Sequence, residues 1–380
     1  MTDAMENYRE YMAQVKSEKT PQYEPFIGSR EKELVNDVLD SNWLSEGKYT
    51  RKFEDNLANF CGSKHALAMA NGTGALTLGL KALGVGLGDE VIVPSFTHPA
   101  DVNCIDAVGA TARFCDIDLK TYTICPQSFK EKITSNTKAV IVVHLFGFSA
   151  NMSEIMNISN EHDIFVIEDC AQALGSKYKG KSVGTFGNFG ILSFFADKTL
   201  TTGEGGMFIS NDSNLINEVN IYKHDGRRER GIDVIERLGY NFRITELQSA
   251  IGVAQFERLE TFTSKKINNN KLFSEFLKDI PGITMVEANE DTYRVPHRVV
   301  IAVDDPESMK NSLATKGIGC RRFYVPMHRQ PCCSDNPDFK ESYPKSEEAY
   351  SSGLCLPSYP MLELQDIERI CKEIKNCLGI

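Results

Sequence analysis

Two residues of this sequence, Lys198 and Asp169, could do chemistry together. Lys198 follows the apolar segment 191–195 and precedes the glycine-rich segment 203–206. A lysine that leaves the end of a buried strand points into the interior, where desolvation lowers the pKa of the amine and makes it a usable nucleophile. Asp169 ends another apolar segment, 165–169. A lysine that forms a Schiff base and an aspartate that holds a pyridinium nitrogen are the minimum set for pyridoxal phosphate chemistry.

A phosphate site is predicted at Gly72-Thr73-Gly74, where an apolar strand gives way to a helix. Glycines let the backbone approach an anion closely, and the first turn of a helix offers unpaired N–H groups and a partial positive charge. Many strand-to-helix turns contain such glycines, so an ordinary turn is the alternative interpretation. Ser193, shortly before Lys198, could add a hydroxyl donor to the same phosphate.

Composition and charge exclude several classes of protein. The chain has 380 residues, of which 41% are hydrophobic and 25% charged, as in a globular protein with one large and one smaller domain. Its net charge of −10 argues against a nucleic-acid or anionic-membrane partner. The apolar runs are too short to span a bilayer and residues 1–23 do not resemble a secretory signal, so we expect a cytoplasmic protein. The eleven cysteines form no CxxC or His/Cys cluster, which predicts reduced thiols and no metal site.

Short β-rich segments alternate with helical ones, which is typical of an α/β domain with a mainly parallel sheet. The predicted strands are 66–70, 90–96, 112–117, 139–145, 165–169, 190–195 and 206–210. The predicted helices are 75–83, 100–107, 126–133, 152–162, a long helix from Ile244 onward, and an amphipathic C-terminal helix at 364–378. We predict an N-terminal extension (1–24), a large domain (25–262) and a small C-terminal domain (263–380).

The chain resembles the DegT/DnrJ/EryC1/StrS sugar aminotransferases, which are fold-type I pyridoxal-phosphate enzymes. The resemblance runs from about residue 25 to the C-terminus. Besides the Lys198 loop it rests on WLSEG at 43–47, NGTGAL at 71–76, VPSFT at 93–97, HLFG at 144–147, EDCAQ at 168–172 and GYNFRIT at 239–245. It implies a large domain with a mixed, mostly parallel seven-stranded sheet and a smaller α+β domain.

The resemblance also implies roles for residues around pyridoxal 5'-phosphate. Lys198 would bond covalently to the cofactor, Asp169 would pair with its pyridinium nitrogen, and Gln172 would contact its ring hydroxyl. Gly72-Thr73-Gly74 and Ser193 would hold its phosphate. Dehydrating members of the family carry histidine at the position of Lys198, so lysine here favours transamination over dehydration.

Further residues are implied at the edge of the site. Asn241 would reach across a homodimer to the partner's phosphate, giving shared active sites, while Arg243 nearby and Ser45 would contact substrate. His98 stands where the family commonly has a larger aromatic residue, and it is either a ring that stacks on the cofactor or a loop histidine by chance. His328 lies in a segment, 321–328, that resembles a substrate-facing loop, and a purely structural role is an equal alternative.

The Lys198 loop looks most like that of the members that aminate C4 of a 4-keto-6-deoxy sugar, in the manner of perosamine synthases. The predicted substrates are therefore a nucleotide-linked keto-sugar and glutamate, which leaves as 2-oxoglutarate, and the product would be an amino sugar for a surface polysaccharide or glycan. A 3-keto-sugar aminotransferase and a non-catalytic pyridoxal-phosphate regulator or sensor are the alternatives.

One basic cluster stands out in this acidic sequence. Its cationic residues would either form a solvated loop or, through their guanidinium groups, bind the diphosphate of a nucleotide sugar. The cluster consists of Lys223, His224, Arg227, Arg228, Arg230 and Arg237.

Overall fold

The computed structural model describes residues 19–229, 231–286, 288 and 290–380. Its strands, in chain order, are β1 His65–Met69, β2 Glu90–Pro94, β3 Thr111–Cys115, β4 Ile117–Asp118, β5 Thr123–Ile124, β6 Thr137–Val143, β7 Phe165–Asp169, β8 Lys177–Tyr178, β9 Lys181–Ser182, β10 Phe189–Ser193, β11 Gly206–Ser210, β12 Ile283–Met285, β13 Thr292–Tyr293, β14 Val299–Val303, β15 Arg321–Arg322 and β16 Gly353–Leu356.

Seven of these strands form the central sheet, in the order β1-β11-β10-β7-β6-β2-β3. Strand β11 runs antiparallel to β1 and β10, and every other pair of neighbours is parallel. The sheet therefore confirms the predicted mixed, mostly parallel architecture. Each of its strands overlaps one of the predicted segments.

The sheet is covered on both faces, which explains why its strands are apolar along their length. In β6, Ala139, Ile141 and Val143 belong to one hydrophobic core, while Val140 and Val142 belong to another. Successive side chains of a strand point to opposite faces, so these two cores lie on the two sides of the sheet.

Helices connect the strands β1, β2, β3, β6 and β7 of the central sheet along the chain. Their bounds are Ser29–Ser41, Lys48–Cys61, Gly72–Ala82, Pro99–Ala107, Pro126–Glu131, Met152–Glu161, Ser213–Lys223, Glu246–Phe256, Leu259–Leu277, Pro306–Thr315, Pro344–Ser352 and Leu364–Cys377. Short 3₁₀ turns occur at Leu145–Gly147, Met327–Arg329 and Pro331–Cys333. Within this part of the chain, no helix is both long and apolar enough to cross a bilayer.

The single long helix predicted from Ile244 onward is wrong, because two helices occupy that stretch. The first begins at Glu246, after Thr245 has capped it by accepting a hydrogen bond from the Gln248 N–H. The break comes at Arg258, whose backbone leaves the helical region (φ −116°, ψ 6°). Apolar periodicity continues through the break, so the sequence pattern does not reveal it.

A second sheet, β12-β14-β16-β15, is antiparallel throughout. The C-terminal helix Leu364–Cys377 buries Ile367, Ile370 and Ile374 in a third core beside this sheet, as its amphipathic pattern predicts. The predicted domain boundary at 262/263 falls inside the helix Leu259–Leu277, and the division into domains stays a prediction. Most of the predicted N-terminal extension, 1–24, lies outside the described residues.

Candidate active site

A cavity of about 280 Å³ opens at the carboxyl ends of β6, β7 and β10. This edge of a parallel sheet is where α/β proteins bind ligands, because polar loops converge there. Of the residues predicted to bind the cofactor, those that line the cavity are Gly72, Thr73, His98, Asp169, Gln172, Ser193 and Lys198. Segments that are far apart in the sequence are thus brought to one place.

Lys198 lies in a tight turn after β10, where its N–H donates to the Phe195 carbonyl at 3.0 Å. Its side chain is 14% exposed and faces the cavity. Burial is the largest influence on the amine and lowers the pKa of Lys198, although Asp197, with Oδ1 at 3.6 Å from Nζ, acts in the opposite direction. A lowered pKa raises the fraction of neutral amine, which is the form that attacks a carbonyl carbon.

Asp197 connects Lys198 to a neighbouring cation, and sequence reasoning missed it. Its carboxylate pairs with the buried guanidinium of Arg298. Burial alone would raise the pKa of Asp197, but Lys198 and Arg298 outweigh burial and the pKa lies below its ordinary value. An ionised Asp197 therefore stands beside the reactive amine.

Asp169 ends β7 with a buried side chain at the cavity wall. Its Oδ1 accepts the Ala171 N–H at 2.7 Å, which fixes the carboxylate against the following turn. Remaining acceptor positions of this carboxylate are available to a cationic group in the cavity. A carboxylate acceptor at this position fits the protonated pyridine nitrogen of pyridoxal phosphate, which donates a hydrogen bond.

Gln172 follows in the same turn, and both ends of its amide are held by protein groups. Its Oε1 accepts the Phe146 N–H at 3.0 Å, and its Nε2 donates to the Tyr324 hydroxyl at 3.1 Å. One amide hydrogen remains for a ligand.

The His98 ring lies edge-on to Tyr324 at 5.8 Å. Stacking of His98 on the cofactor stays a prediction.

The predicted phosphate turn is capped by Asn71, whose Oδ1 accepts the Gly74 N–H at 2.8 Å. The N–H groups of Gly72 and Thr73 have no partner within the helix and lie at the cavity. Gly74 does not line the cavity, and a Cβ there would lie 3.1 Å from the Phe242 ring. Gly206 of β11, which sequence reasoning did not assign, allows the turn to lie close to this strand. A Cβ at position 206 would lie 2.4 Å from the Asn71 carbonyl carbon. These features fit a phosphate cradle.

The residues predicted at the edge of the site lie elsewhere. Ser45 and Arg243 line a separate cavity of about 440 Å³, in which Arg243 donates to Asp225 at 2.6 Å. Asn241 is exposed, pairs through its backbone with His224, and lines neither cavity. Contact of Asn241 with a partner's phosphate stays a prediction.

His328 is buried away from both cavities. Its Nδ1 lies 2.6 Å from Ser95 Oγ and its Nε2 lies 3.1 Å from Glu347. Both ring nitrogens are therefore engaged by protein groups, and this supports the structural alternative for His328. From the same segment, sequence reasoning missed Arg321 and Tyr324, which do line the Lys198 cavity.

Most of the basic cluster has acidic partners within the chain. Lys223 and His224 both contact Glu46. Burial alone would raise the pKa of Glu46, but these two contacts outweigh burial and lower the pKa to about 2. The described arginines pair with carboxylates as follows: Arg227 with Asp225 and Asp233, Arg228 with Glu236, and Arg237 with Glu218. Arg230 lies outside the described residues. These pairs favour the solvated-loop interpretation for the arginines, whereas Lys223 is buried at the end of the helix Ser213–Lys223.

His144, Glu168 and Cys170 form a buried group whose atoms are close enough to hold a metal ion. The two Glu168 oxygens already accept N–H groups of the loop 184–187, at 2.6–2.9 Å, and Oε2 also contacts His144. Glu168 is thus accounted for as an anchor of this loop.

The sequence model of the DegT/DnrJ/EryC1/StrS aminotransferase family matches residues 25–375. The chain belongs to this family. Two curated relatives show its breadth. The GDP-perosamine synthase of Escherichia coli O157:H7 is 40% identical, over 94% of this chain and 98% of that protein. The dTDP-3-amino-3,6-dideoxy-alpha-D-galactopyranose transaminase of Aneurinibacillus thermoaerophilus is 36% identical, over 90% of this chain and 94% of that protein.

Solved structures of the family share the fold. An aminotransferase from Psychrobacter cryohalolentis superposes with a TM-score of 0.89 at 30% identity, covering 95% of this chain and 99% of that one. A putative sugar aminotransferase from Streptococcus pneumoniae, in its PLP form, gives 0.89 at 25% identity, covering 94% and 98%. The chain is thus a pyridoxal-phosphate-dependent aminotransferase, which confirms the predicted fold, enzyme class and cofactor.

Proposed function

We propose that this enzyme transfers an amino group from glutamate to the keto group of a nucleotide-linked sugar, at C4 of a 4-keto-6-deoxy sugar. The observation that carries the proposal is one cavity that joins a lysine of lowered pKa, a buried aspartate and the N-terminus of a helix. The 40% identity to a GDP-perosamine synthase supports the choice of substrate. Glutamate and the keto-sugar exchange an amino group for a carbonyl oxygen, giving 2-oxoglutarate and an amino sugar for a surface polysaccharide or glycan.

Different residues of the chain have different roles in this reaction. Bound pyridoxal phosphate supplies an electron sink for the carbon that loses its proton. Asp169 holds the proton on the pyridine nitrogen, and Lys198, the lysine that lines the cavity among the described residues, carries the substrate proton. The Gly72-Thr73 turn and Ser193 hold the phosphate. We place the reaction in the cytosol, in keeping with described cysteines that form no disulfide.

The test is a panel of GDP-, UDP- and dTDP-linked 3-keto and 4-keto sugars with glutamate, read by mass spectrometry. We expect one amino sugar and an equal amount of 2-oxoglutarate. A product aminated at C3 would favour the other relative's type of substrate. If glutamate alone fails to convert the visible absorbance of the bound cofactor, the non-catalytic alternative gains support and the proposal fails.

Arg321 is the residue that we propose binds the carboxylate of glutamate. Its guanidinium lies over the Tyr324 ring at 5.0 Å, at the cavity. Asp197, which lines the same cavity, interacts with Arg321 only through their charges and is itself paired with Arg298. A guanidinium–carboxylate pair contributes about 1.5–3 kcal/mol. We therefore expect Arg321→Gln to raise the KM for glutamate by roughly ten- to a hundredfold, with a smaller change in kcat.

The neighbouring Arg322→Gln variant is the matched control, because Arg322 already contacts Glu307 and the Tyr350 carbonyl. It should leave the KM for glutamate near that of the wild type. A rise in the KM for the sugar alone, in the Arg321 variant, would assign Arg321 to the nucleotide sugar and contradict the proposal.

We propose that the active unit is a homodimer with shared sites. Apolar side chains are exposed in the loop that precedes Asn241, and they are Ile232, Val234, Ile235 and Leu238. Asn241 follows this loop. A partner subunit that covers the apolar loop would therefore have its cavity close to this Asn241. The loop is thus the proposed contact surface.

Mixed dimers test this arrangement. Lys198→Ala and Asn241→Ala chains, each of low activity, should regain up to about a quarter of wild-type activity when co-expressed, because a mixed dimer has one intact site. Lys198→Ala mixed with Asp169→Ala should regain none, since both residues belong to the same chain's cavity. Mixed dimers without recovered activity would place the function of Asn241 within its own chain.

A further inference from the structure

Asp101 is a buried acid beside the cofactor-facing aspartate that none of the roles above uses. It lies in the first turn of the helix Pro99–Ala107 and is 0% exposed. Its Oδ2 accepts the Thr97 hydroxyl at 2.5 Å. Its Oδ1 is buried and receives no hydrogen bond from any described residue. A buried ionised carboxylate with an oxygen left without a donor is costly, so the protonation state of Asp101 needs an explanation.

The second relevant observation is the neighbour of Asp101. The Asp169 carboxyl group lies close enough to that of Asp101 to be, after burial, the main influence that raises the pKa of Asp101, and Asp169 Oδ1 is held by the Ala171 N–H. Two carboxylates in contact inside a protein cannot both be ionised without strong repulsion, so the pair shares a proton.

The surroundings decide which carboxyl group holds that proton. Asp169 faces the cavity that Lys198 also lines, and it is the carboxylate that would pair with a pyridinium nitrogen. The Asp101 carboxyl group accepts from Thr97, while the Cys104 thiol donates to the Asp101 backbone carbonyl. No cation is among the groups of the described residues that shift the pKa of Asp101. The helix N-terminus favours an anion, but burial, followed by the charge of Asp169, raises the pKa of Asp101 well above its ordinary value.

We propose that Asp101 is a neutral acid that donates its Oδ1 hydrogen to Asp169, forming a carboxylic acid–carboxylate pair behind the cofactor. This arrangement satisfies both oxygens of Asp101, since Oδ2 accepts from Thr97 and Oδ1 donates. It gives the pair a single negative charge, which matches one pyridinium. Asp101 is therefore a positioning residue: it orients Asp169 and, by sharing the negative charge, reduces the tendency of Asp169 to remove the pyridinium proton. The proposal takes Asp169 as the partner of the pyridine nitrogen.

The protonation state can be measured without the cofactor. Infrared difference spectra of the apoenzyme, wild type minus Asp101→Asn, should show the carbonyl stretch of a buried carboxylic acid at neutral pH. Asp106→Asn, which removes an exposed acid of the same helix, is the control and should show none. Burial also raises the pKa of Glu54, and the paired difference removes its contribution. A spectrum that shows loss of an ionised carboxylate in the Asp101 variant would overturn the proposal.

Two variants separate the donor role from simple packing in the cofactor-loaded enzyme. Asparagine keeps a neutral donor toward Asp169 and an acceptor toward Thr97, so Asp101→Asn should keep kcat within about threefold of the wild type. It should also leave the pH midpoint of the visible band unchanged. Asp101→Leu keeps the volume but loses the donor, and kcat should fall by roughly ten- to a hundredfold.

The pH midpoint of the visible band distinguishes a neutral Asp101 from an ionised one. If Asp101 were ionised, Asp101→Asn would remove a negative charge near the protonated, lysine-bound cofactor, and the midpoint would shift to lower pH. That shift would overturn the proposal, as would a Leu variant as active as the wild type. Because the infrared measurement needs no substrate or cofactor, failure of the proposed sugar specificity or of the Asp169 assignment can be told apart from failure of this inference.

Discussion

Replacing Lys198 by alanine should leave a folded protein that has lost the covalent bond to its cofactor and on the order of 10³-fold or more of its turnover. Lys198 is the lysine at the cavity among the described residues, so its removal takes away both the nucleophile and the proton carrier. Folding should be preserved, because Asp197 keeps its pair with Arg298. The measurements are the visible spectrum with added cofactor, turnover with glutamate, and a thermal melt.

Lys266→Met is the matched comparison, because Lys266 is the other buried amine in this region. Burial, aided by Arg298, lowers the pKa of Lys266 to about 7, and its Nζ donates to the His297 carbonyl at 3.1 Å. It does not line the cavity of Asp169. We expect this variant to keep the visible band. Near-normal turnover in Lys198→Ala, or loss of the band in Lys266→Met alone, would show that Lys198 is not the reactive lysine.

Strands were predictable where local pattern and tertiary packing agree. Strands β7 and β11 lie where the apolar segments 165–169 and 206–210 place them. Strand β6 was predicted to continue to residue 145 but ends at Val143. The apolar pattern runs on through the following residues, yet the backbone turns there, with positive φ at Phe146 (55°) and Gly147 (87°). A non-glycine residue with positive φ, such as Phe146, cannot be recognised from an apolar sequence pattern.

Site residues were predictable where they end strands. Asp169 closes β7, and a polar side chain after an apolar run indicated it. Ser193 closes β10, but the predicted strand ran past it to residue 195, and Ser193 was named for its place shortly before Lys198. Arg321 and Tyr324 arrive from a segment far along the chain, and which of its side chains face the cavity depends on how the second sheet packs against the first. Asp101 resembles any acid in the first turn of a helix, and only burial against Asp169 distinguishes it.

Asp169→Asn should retain bound cofactor but lose on the order of 10³-fold in kcat. The amide keeps the size of the side chain and can still accept the Ala171 N–H through its oxygen. A neutral amide, however, does not stabilise a proton on the pyridine nitrogen, so the ring withdraws electrons poorly from the carbon that must lose its proton. The readouts are cofactor retention, single-turnover conversion with glutamate, and the absorbance of the bound form.

A cofactor analogue methylated at the pyridine nitrogen separates the electrostatic role of Asp169 from a structural one. Its ring carries a permanent positive charge and needs no aspartate to keep it, so it should restore a substantial part of the conversion lost in Asp169→Asn. The same analogue should not help Lys198→Ala, in which the missing group is the amine rather than the charge. Full activity of Asp169→Asn with the natural cofactor would contradict the assignment. Failure of the methylated analogue to rescue a variant that binds it would mean that Asp169 acts by position alone, in which case the neutral Asp101 behind it would matter for geometry rather than for charge.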